Sequence, residues 1–326
     1  MKKHRFLKAV IITAAVLFVL SVAGGYVFSY KGTAAKKNPN PVPAADRLVE
    51  GTPMWDLQIA NIEKLGREAA EWDDPSAHET WEQTSFDGNT LYAHFFKNGN
   101  SKTYLLFCHG YSDAPARFYN YTHVLYSWGM NVLMPVMRGH APSGGKFVGM
   151  GWYDSRDILG WVNMIVDKEP DAEIALVGVS MGGASVMMAS GLDLPSNVKC
   201  IVEDSGFSSV YDEFCYQIKH SYRLPAIPFI PAASIVNKIL AGWSYSEANT
   251  AVRLANAKVP MLFIHGMKDV KVPGSMLEDN VQAYKGPHSE VLKFEDTGHI
   301  KAYFTYPEIY FPKVEEFIGR YCTLNK

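Results

Sequence analysis

The fold is indicated most directly by residues 173–190, EIALVGVSMGGASVMMAS. The apolar, branched run at 174–177 is typical of a buried strand, and the small and apolar residues after position 180 are typical of a helix. Between them stands the pattern Gly-x-Ser-x-Gly, with Ser180 at the corner. A serine that projects from so sharp a turn needs neighbours without side chains, and the new helix directs free N–H groups toward its oxygen. The alternative is a glycine-rich turn before a core helix.

The composition is that of a globular protein with a large core. The chain has 326 residues, 48% of them hydrophobic, which suits one large α/β domain with an insertion or two small domains. A formal net charge of −2 without a basic patch argues against nucleic acid as a partner. The four cysteines have neither paired nor zinc-type spacing. Cys108 and Cys200 lie in apolar strands and are expected to be buried thiols, and no disulfide is expected.

The N-terminal residues 1–30 are predicted to be a signal anchor. A basic start precedes 20 uncharged residues, 9–28, AVIITAAVLFVLSVAGGYVF. That length is about what a transmembrane helix needs, ~20 residues, and no well-defined cleavage site accompanies it. Positive charges before the span place the rest of the chain outside the cytoplasm. We therefore expect a membrane-anchored protein whose folded domain is extracytoplasmic; secretion after signal cleavage is the alternative.

Residues 31–45 are predicted to be an extended linker stiffened by prolines, and residues 46–326 the folded domain. In that domain, strands are predicted at 103–108, 131–136, 174–177, 198–202, 259–265 and 290–294, helices at 54–72, 118–128, 154–166, 276–284 and 309–321, and a hairpin at 78–96. Continuous apolar strands that alternate with helices predict an α/β fold, a mainly parallel sheet with helices on both faces.

The alternation of strands and helices stops at about 210–255. This stretch is rich in aromatic residues and prolines and is long enough for two or three short helices. It is predicted to be a helical lid insertion that caps the C-terminal edge of the sheet. Ordinary packing of helices on the sheet is the alternative.

Candidate site residues follow the predicted strands at their C-terminal ends, where the site of an open parallel sheet lies. Asp269 stands on a loop after a strand, where a carboxylate can orient a histidine. His299 stands late in the chain, on a loop beside a glycine. The order Ser180, Asp269, His299 is the order of nucleophile, acid and base expected for this architecture. Asp204, which also follows a strand, is an alternative acid, and Asp296 is a weaker one.

The loop HGYSD at 109–113 is predicted to supply half of an oxyanion hole. Gly110 lets the backbone turn sharply, so that the Tyr111 N–H can point into the same space as the Met181 N–H. A simple strand-ending turn is the alternative. The predicted substrate contacts are His109, Gly110, Tyr216 and Phe229.

Together these motifs resemble the α/β-hydrolase fold. They are most similar to the serine aminopeptidase-like group that includes monoacylglycerol lipases and bacterial cinnamoyl esterases, here in a membrane-anchored bacterial form. The resemblance covers about residues 91–321, with HGYSD at 109–113, RGHAPS at 138–143, GVSMGG at 178–183, HGMKDVKVP at 265–273 and GH at 298–299. Ala141 and Pro142 stand where the group usually has a glycine. Because this loop flanks the pocket, the resemblance does not determine the shape of the substrate. The resemblance implies Asp269 rather than Asp204 as the acid, and a lid over residues 210–255.

The expected chemistry is hydrolysis of a carboxylic ester through an acyl-enzyme, without a metal or cofactor. The aromatic lid suits an acyl or aryl group. The first alternative is an aminopeptidase-like enzyme for short peptides, in which Asp212 or Glu213 would hold the substrate amine. The second is a non-catalytic, surface-anchored scaffold of the same fold. The expected partners are a small ester or short peptide and the membrane.

Overall fold

The computed structural model describes residues 21–36 and 53–325. Residues 1–20, with most of the predicted anchor, and 37–52, with most of the predicted linker, lie outside the described residues. The described residues divide into two compact units. The helical unit comprises 21–34 and 209–249, and the sheet unit comprises the remaining described residues. In the described part of the chain, no helix has the length and apolar character needed to cross a membrane.

The sheet unit is built on one sheet. Its strands among the described residues are β1 (Glu79–Thr84), β2 (Thr90–Phe96), β3 (Thr103–Cys108), β4 (Asn131–Pro135), β5 (Glu173–Val179), β6 (Val198–Asp204), β7 (Met261–Gly266) and β8 (Ser289–Phe294). Their spatial order is β1-β2-β4-β3-β5-β6-β7-β8. The pairs β1–β2 and β2–β4 are antiparallel, and all other neighbours run parallel. The prediction of a mainly parallel sheet is confirmed.

The central strands are covered on both faces. β3, β4 and β7 are buried at every residue, although successive side chains of a strand point to opposite faces. The described helices, besides a helical segment at 21–33, are α1 (Pro53–Glu68), α2 (Tyr119–Tyr126), α3 (Asp154–Lys168), α4 (Met181–Ala189), α5 (Val210–Ser221), α6 (Phe229–Ala241), α7 (Thr250–Leu254), α8 (Gly274–Ala283), α9 (Ala302–Thr305) and α10 (Pro307–Gly319). Strands buried on both faces require layers on each side of the sheet.

The predicted elements agree with the structure except at several boundaries. The predicted helix at 54–72 ends at Glu68 and is followed by a 3₁₀ turn at Ala70–Asp73. The hairpin is confirmed, with Gly88 in the left-handed conformation that its turn requires, φ 81°. Cys108 and Cys200 are buried, and the four cysteines are free thiols.

The helical unit contains the segment 21–33 together with α5 and α6. The Asn237 side chain of α6 accepts hydrogen bonds from the hydroxyls of Ser29 and Thr33 at 3.3 and 2.9 Å. Residues 31–33, predicted to begin an extended linker, therefore continue a packed helix. The predicted insertion at 210–255 also differs at its end, because Thr250 in α7 is hydrogen-bonded to Ser208 within the sheet unit.

Candidate active site

Ser180 stands at the corner between β5 and α4 in a strained backbone conformation, φ 54° and ψ −119°. Strain of this kind costs on the order of 1–3 kcal/mol and persists where the surroundings fix it. The Ser180 N–H donates to the Asp204 carbonyl oxygen at 2.8 Å. A Cβ at Gly178 would lie 2.2 Å from the Gly182 carbonyl oxygen, and one at Gly182 would lie 2.0 Å from that of Cys108. Backbone atoms approach both glycines of the motif so closely that no residue with a Cβ fits at either position.

The structure brings Ser180, His299 and Asp269 into one hydrogen-bonded series. Ser180 Oγ lies 2.8 Å from His299 Nε2, and His299 Nδ1 lies 2.6 Å from Asp269 Oδ2. An ionised carboxylate only accepts hydrogen bonds, so Nδ1 carries the ring proton. His299 Nε2 is therefore the nitrogen that can accept a proton from the serine hydroxyl.

The Asp269 carboxylate is held in place and kept ionised. Its Oδ1 accepts the N–H groups of Lys271 and Val272 at 2.7 and 2.9 Å. Burial on its own would raise the pKa of Asp269, but the His299 ring and the Val272 N–H favour the charged form. Together they hold the pKa of this carboxyl below its usual value.

The two other candidate acids are engaged elsewhere. Asp204 Oδ1 accepts the Ser205 hydroxyl at 2.8 Å, and its Oδ2 accepts the Tyr310 hydroxyl at 2.9 Å. Burial raises the pKa of Asp204, although these two hydrogen bonds oppose the rise. Asp296 is exposed and accepts the hydroxyl of Tyr306. Of the three candidate acids, Asp269 is therefore the one that is hydrogen-bonded to the His299 ring.

The loop 109–113 passes directly beside Ser180. A Cβ at Gly110 would lie 3.4 Å from Ser180 Cβ and 3.0 Å from Asp113 Oδ2, which leaves little room for a side chain. Met181, on the other side of the serine, is the first residue of α4, so its N–H has no acceptor within the helix. The predicted oxyanion donors, the N–H groups of Tyr111 and Met181, therefore belong to two segments that flank the serine.

Two buried histidines, one of them the first residue of the loop 109–113, hold this loop in place. His109 Nε2 accepts the Met137 N–H at 3.0 Å, and His109 Nδ1 lies 2.8 Å from the Gly110 carbonyl oxygen. His140 Nε2 accepts the Ser112 N–H at 3.0 Å. Burial lowers the pKa of His109 to about 4 and that of His140 to about 3, so both rings are neutral acceptors. With both ring nitrogens engaged, His109 holds the loop in place, and contact of His109 or Gly110 with a substrate stays a prediction.

The positioning role of His140 was not predicted from the sequence. The only signal for it was its place in the RGHAPS motif at 138–143. Its partner, the Ser112 N–H, lies 28 residues earlier in the chain, and Ser112 has a positive φ of 58°.

The predicted aromatic contacts Tyr216 and Phe229 lie in the helical unit. Tyr216 stacks on His220 within α5, with ring centroids 4.1 Å apart. Phe229, the first residue of α6, lies 6.3 Å from the Phe28 ring. Contact of either side chain with a substrate stays a prediction, as does the lid.

A small, solvent-open depression lies beside His299. Its walls come from Arg117, Phe118, Ile300, Lys301, Tyr303 and Phe304. Arg117 is buried and paired with Asp113 at 2.6 Å. Within residues 21–36 and 53–325, no group of three or more His, Cys, Asp or Glu side chains is placed to hold a metal ion.

Known proteins are similar to this chain over most of its length. Residues 99–241 match the Hydrolase_4 family model, described as serine aminopeptidase, S33. The uncharacterized protein YqkD of Bacillus subtilis is 26% identical over 246 residues, 74% of this chain and 80% of that protein. The uncharacterized protein YfhR of Escherichia coli is 25% identical over 252 residues, 75% of this chain and 82% of that protein.

Solved structures share the fold. The Pyrococcus furiosus esterase Pf2001, in its C2221 crystal form, is 22% identical with a TM-score of 0.61, covering 88% of this chain and 97% of the esterase chain. The acylaminoacyl peptidase of Pyrococcus horikoshii is 16% identical with a TM-score of 0.57, covering 76% of this chain and 42% of the peptidase chain. These similarities agree in the fold and differ in the substrates that their names state.

Proposed function

We propose that this chain, which has the α/β-hydrolase fold, is a serine hydrolase that cleaves carboxylic esters through an acyl-enzyme on Ser180. The observation that carries the proposal is the unbroken series from Ser180 Oγ through His299 to Asp269, with contacts of 2.8 and 2.6 Å. Such a series activates a weakly nucleophilic hydroxyl by providing an acceptor for its proton. Similarity to a structure named as an esterase agrees with this chemistry.

In the first half of the reaction, Ser180 Oγ attacks the ester carbonyl carbon as its proton passes to His299 Nε2. Asp269 holds the imidazole with its proton on Nδ1 and stabilises the imidazolium that forms. The N–H groups of Tyr111 and Met181 donate to the oxyanion of the tetrahedral intermediate. Collapse of that intermediate expels the alcohol, which takes its proton from His299.

In the second half, water repeats the same steps on the acyl-enzyme. His299 Nε2 takes a proton from the water as its oxygen attacks the acyl carbon, and Ser180 is the leaving group. The Ser180 oxygen regains its proton from the imidazolium. The products are a carboxylic acid and the free hydroxyl of Ser180.

We favour an ester over a peptide substrate because the acidic side chains of the helical unit are already engaged there. Asp212 accepts the Ser209 hydroxyl at 2.5 Å as part of the cap of α5. Glu213 is buried, and its Oε1 accepts the Gln217 side-chain amide at 2.9 Å. Glu213 is thus kept from solvent, and Asp212, although exposed, is held by the cap of α5, so neither carboxylate is a ready receptor for a substrate amine.

The proposal includes a membrane anchor at residues 1–30, with the folded domain outside the cytoplasm. Its support is the basic start and the uncharged run at 9–28. Secretion after cleavage is the alternative. The mass of the mature protein and the fraction that contains it, membrane or secreted, distinguish the two, because cleavage removes most of the uncharged run.

The experiment that tests the enzymatic proposal compares short-chain acyl esters, aryl esters and aminoacyl anilides as substrates. Ester turnover that disappears in Ser180→Ala and survives in Ser196→Ala, an exposed serine, supports it. Faster turnover of aminoacyl anilides would favour the peptidase instead. Ester turnover retained in Ser180→Ala would contradict the assignment of the nucleophile.

A further inference from the structure

Exposed apolar side chains are concentrated in the helical unit. Ten of the sixteen large hydrophobic side chains exposed in the described part of the chain belong to it. Soluble surfaces carry such residues singly, whereas a cluster of them marks an interaction surface. This clustering indicates that a partner covers the apolar surface of the helical unit.

One part of the apolar surface is the outer face of α6. Ile235 and Ile239 stand one turn apart and are 64% and 76% exposed, whereas Ala233 and Asn237 on the inner face are fully buried. The only charged residue of α6 is Lys238, and it pairs with Glu247 at 2.8 Å. A helix with an apolar inner face normally presents polar residues to water. The outer face of α6 does not follow that pattern.

The other part of the apolar surface is the helical segment 21–33, which packs against α6. A Cβ at Gly24 would lie 2.8 Å from the Phe229 ring, and one at Gly25 would lie 2.8 Å from Ala232. On the exposed side of the segment, Tyr26 and Tyr30 stack with ring centroids 6.2 Å apart, and both are about half exposed. Two helices in contact thus carry apolar side chains into solvent.

The sequence indicates that the partner is a lipid bilayer. The segment 21–33 contains the end of the uncharged run at 9–28, which is long enough to span a membrane. Gly24 lies four residues, about 6 Å along a helix, before the end of that run at Phe28. Tyrosines are enriched at the level of the lipid headgroups, which is where Tyr26 and Tyr30 would stand. Because Phe229 at the start of α6 contacts Gly24, α6 would also lie at the level of the lipid headgroups.

We propose that α6 docks on the membrane, with Ile235, Ile239 and the preceding Ile227 in the boundary between headgroups and acyl chains. Burial of these side chains in lipid removes apolar area from water, which stabilises an interfacial helix. The inference rests on the proposed membrane anchor, and it adds a second lipid contact about 200 residues later in the chain. The helical unit is then an interfacial element of the enzyme.

The test places an environment-sensitive NBD fluorophore on the full-length chain in phosphatidylcholine vesicles. The background is Cys215→Ser, which removes a partly exposed thiol and leaves the three buried ones. Single labels are attached through Ile239→Cys on α6, Tyr26→Cys in the anchor segment, and Val270→Cys in the sheet unit as the matched control. Val270 is 77% exposed, close to the 76% of Ile239. Doxyl-labelled lipid serves as the quencher, and iodide serves as the aqueous quencher.

The proposal expects lipid to quench the label at position 239 several-fold more strongly than the label at 270, with emission shifted to shorter wavelength. If lipid quenched the labels at 239 and 270 equally and the label at 26 strongly, the docking of α6 would be overturned and the membrane anchor would be supported. Weak lipid quenching at both 26 and 239 would overturn the anchor together with the docking. Protection of 239 from iodide without lipid quenching would overturn lipid as the partner in favour of a second copy of the chain.

Discussion

The Ser205 hydroxyl oxygen accepts a hydrogen bond, at 3.4 Å, from the N–H of Ile300, the residue directly after His299. The same hydroxyl donates to Asp204 Oδ1 at 2.8 Å. Ser205 and Ile300 both have positive φ, 59° and 54°, so two strained turns meet at this contact. Asp204, the rival candidate for the acid, is therefore linked by hydrogen bonds to the backbone next to His299, through the Ser205 hydroxyl, and not to the His299 ring.

Ser205→Ala is expected to lower kcat about 10-fold while KM changes little, because a displaced imidazole loses its alignment with the serine oxygen. Steady-state kinetics on a soluble ester measure both constants. The control is Ser196→Ala, which removes an exposed hydroxyl of the same unit. An unchanged kcat in Ser205→Ala would show that the contact does not position the ring.

Asp269→Asn is expected to lower kcat by roughly 10⁴-fold, because an amide that donates to Nδ1 favours the wrong tautomer of His299. Asp204→Asn keeps one oxygen that can accept the Ser205 hydroxyl and places an amide N–H donor beside the Tyr310 hydroxyl oxygen, so it should cost far less. The comparison of the two kcat values identifies the acid. A larger loss in Asp204→Asn than in Asp269→Asn would reverse the assignment.

The contribution of His109 and His140 to the stability of the protein is expected to fall as the pH drops from about 6.5 toward 4. The pKa values of His109 and His140 are lowered to about 4 and about 3 in the folded state, so the unfolded chain binds protons in this window that the folded chain does not. Each such histidine costs about 1.4 kcal/mol of unfolding free energy per pH unit.

The replacement that tests this pH dependence is His140→Gln, whose amide oxygen can still accept the Ser112 N–H but does not titrate. Urea unfolding at several pH values should give a smaller slope of stability against pH for His140→Gln than for the original chain. Identical slopes would contradict the buried, neutral state of His140.

Gly182→Ala is expected to abolish activity and to reduce the yield of folded protein, because its Cβ would lie 2.0 Å from the Cys108 carbonyl oxygen. Backbone on both sides would have to move at the turn that carries Ser180. The matched control is Gly66→Ala in α1, where a Cβ meets nothing within 4 Å. That replacement should stabilise the helix by up to about 1 kcal/mol. Thermal unfolding and ester turnover compare the two, and full activity in Gly182→Ala would refute the close approach.

The sequence predicted the parts of the site that follow from chain order and strand ends. Ser180, Asp269 and His299 each follow a strand of one parallel sheet, so their meeting at one edge could be expected. The choice between Asp269 and Asp204 could not be made from these positions, since both follow strands. The choice of acid depends on the directions in which the two carboxylates point. One Asp204 oxygen accepts a hydrogen bond from the hydroxyl of Tyr310, about a hundred residues later in the chain.

Contacts between distant segments account for the features that the sequence did not predict. The His140 ring accepts a hydrogen bond from the Ser112 N–H. A local sequence pattern cannot predict a hydrogen bond between a side chain and a backbone N–H so far away in the chain. The sequence predicts a linker from residue 31 because prolines stiffen the stretch that follows and nothing in that stretch has the side chains needed for packing. Asn237, more than two hundred residues later in the chain, accepts the Thr33 hydroxyl, and the segment is helical up to that residue.

The proposed mechanism requires Ser180 to form a covalent acyl-enzyme with the help of His299. The most direct measurement is mass spectrometry of the full-length protein after reaction with a fluorophosphonate, followed by mapping of the modified peptide. We expect one adduct, on the Ser180 hydroxyl, that is absent in Ser180→Ala and forms much more slowly in His299→Ala. An unmodified Ser180, or an adduct that forms equally fast without His299, would contradict it and would favour a non-catalytic scaffold.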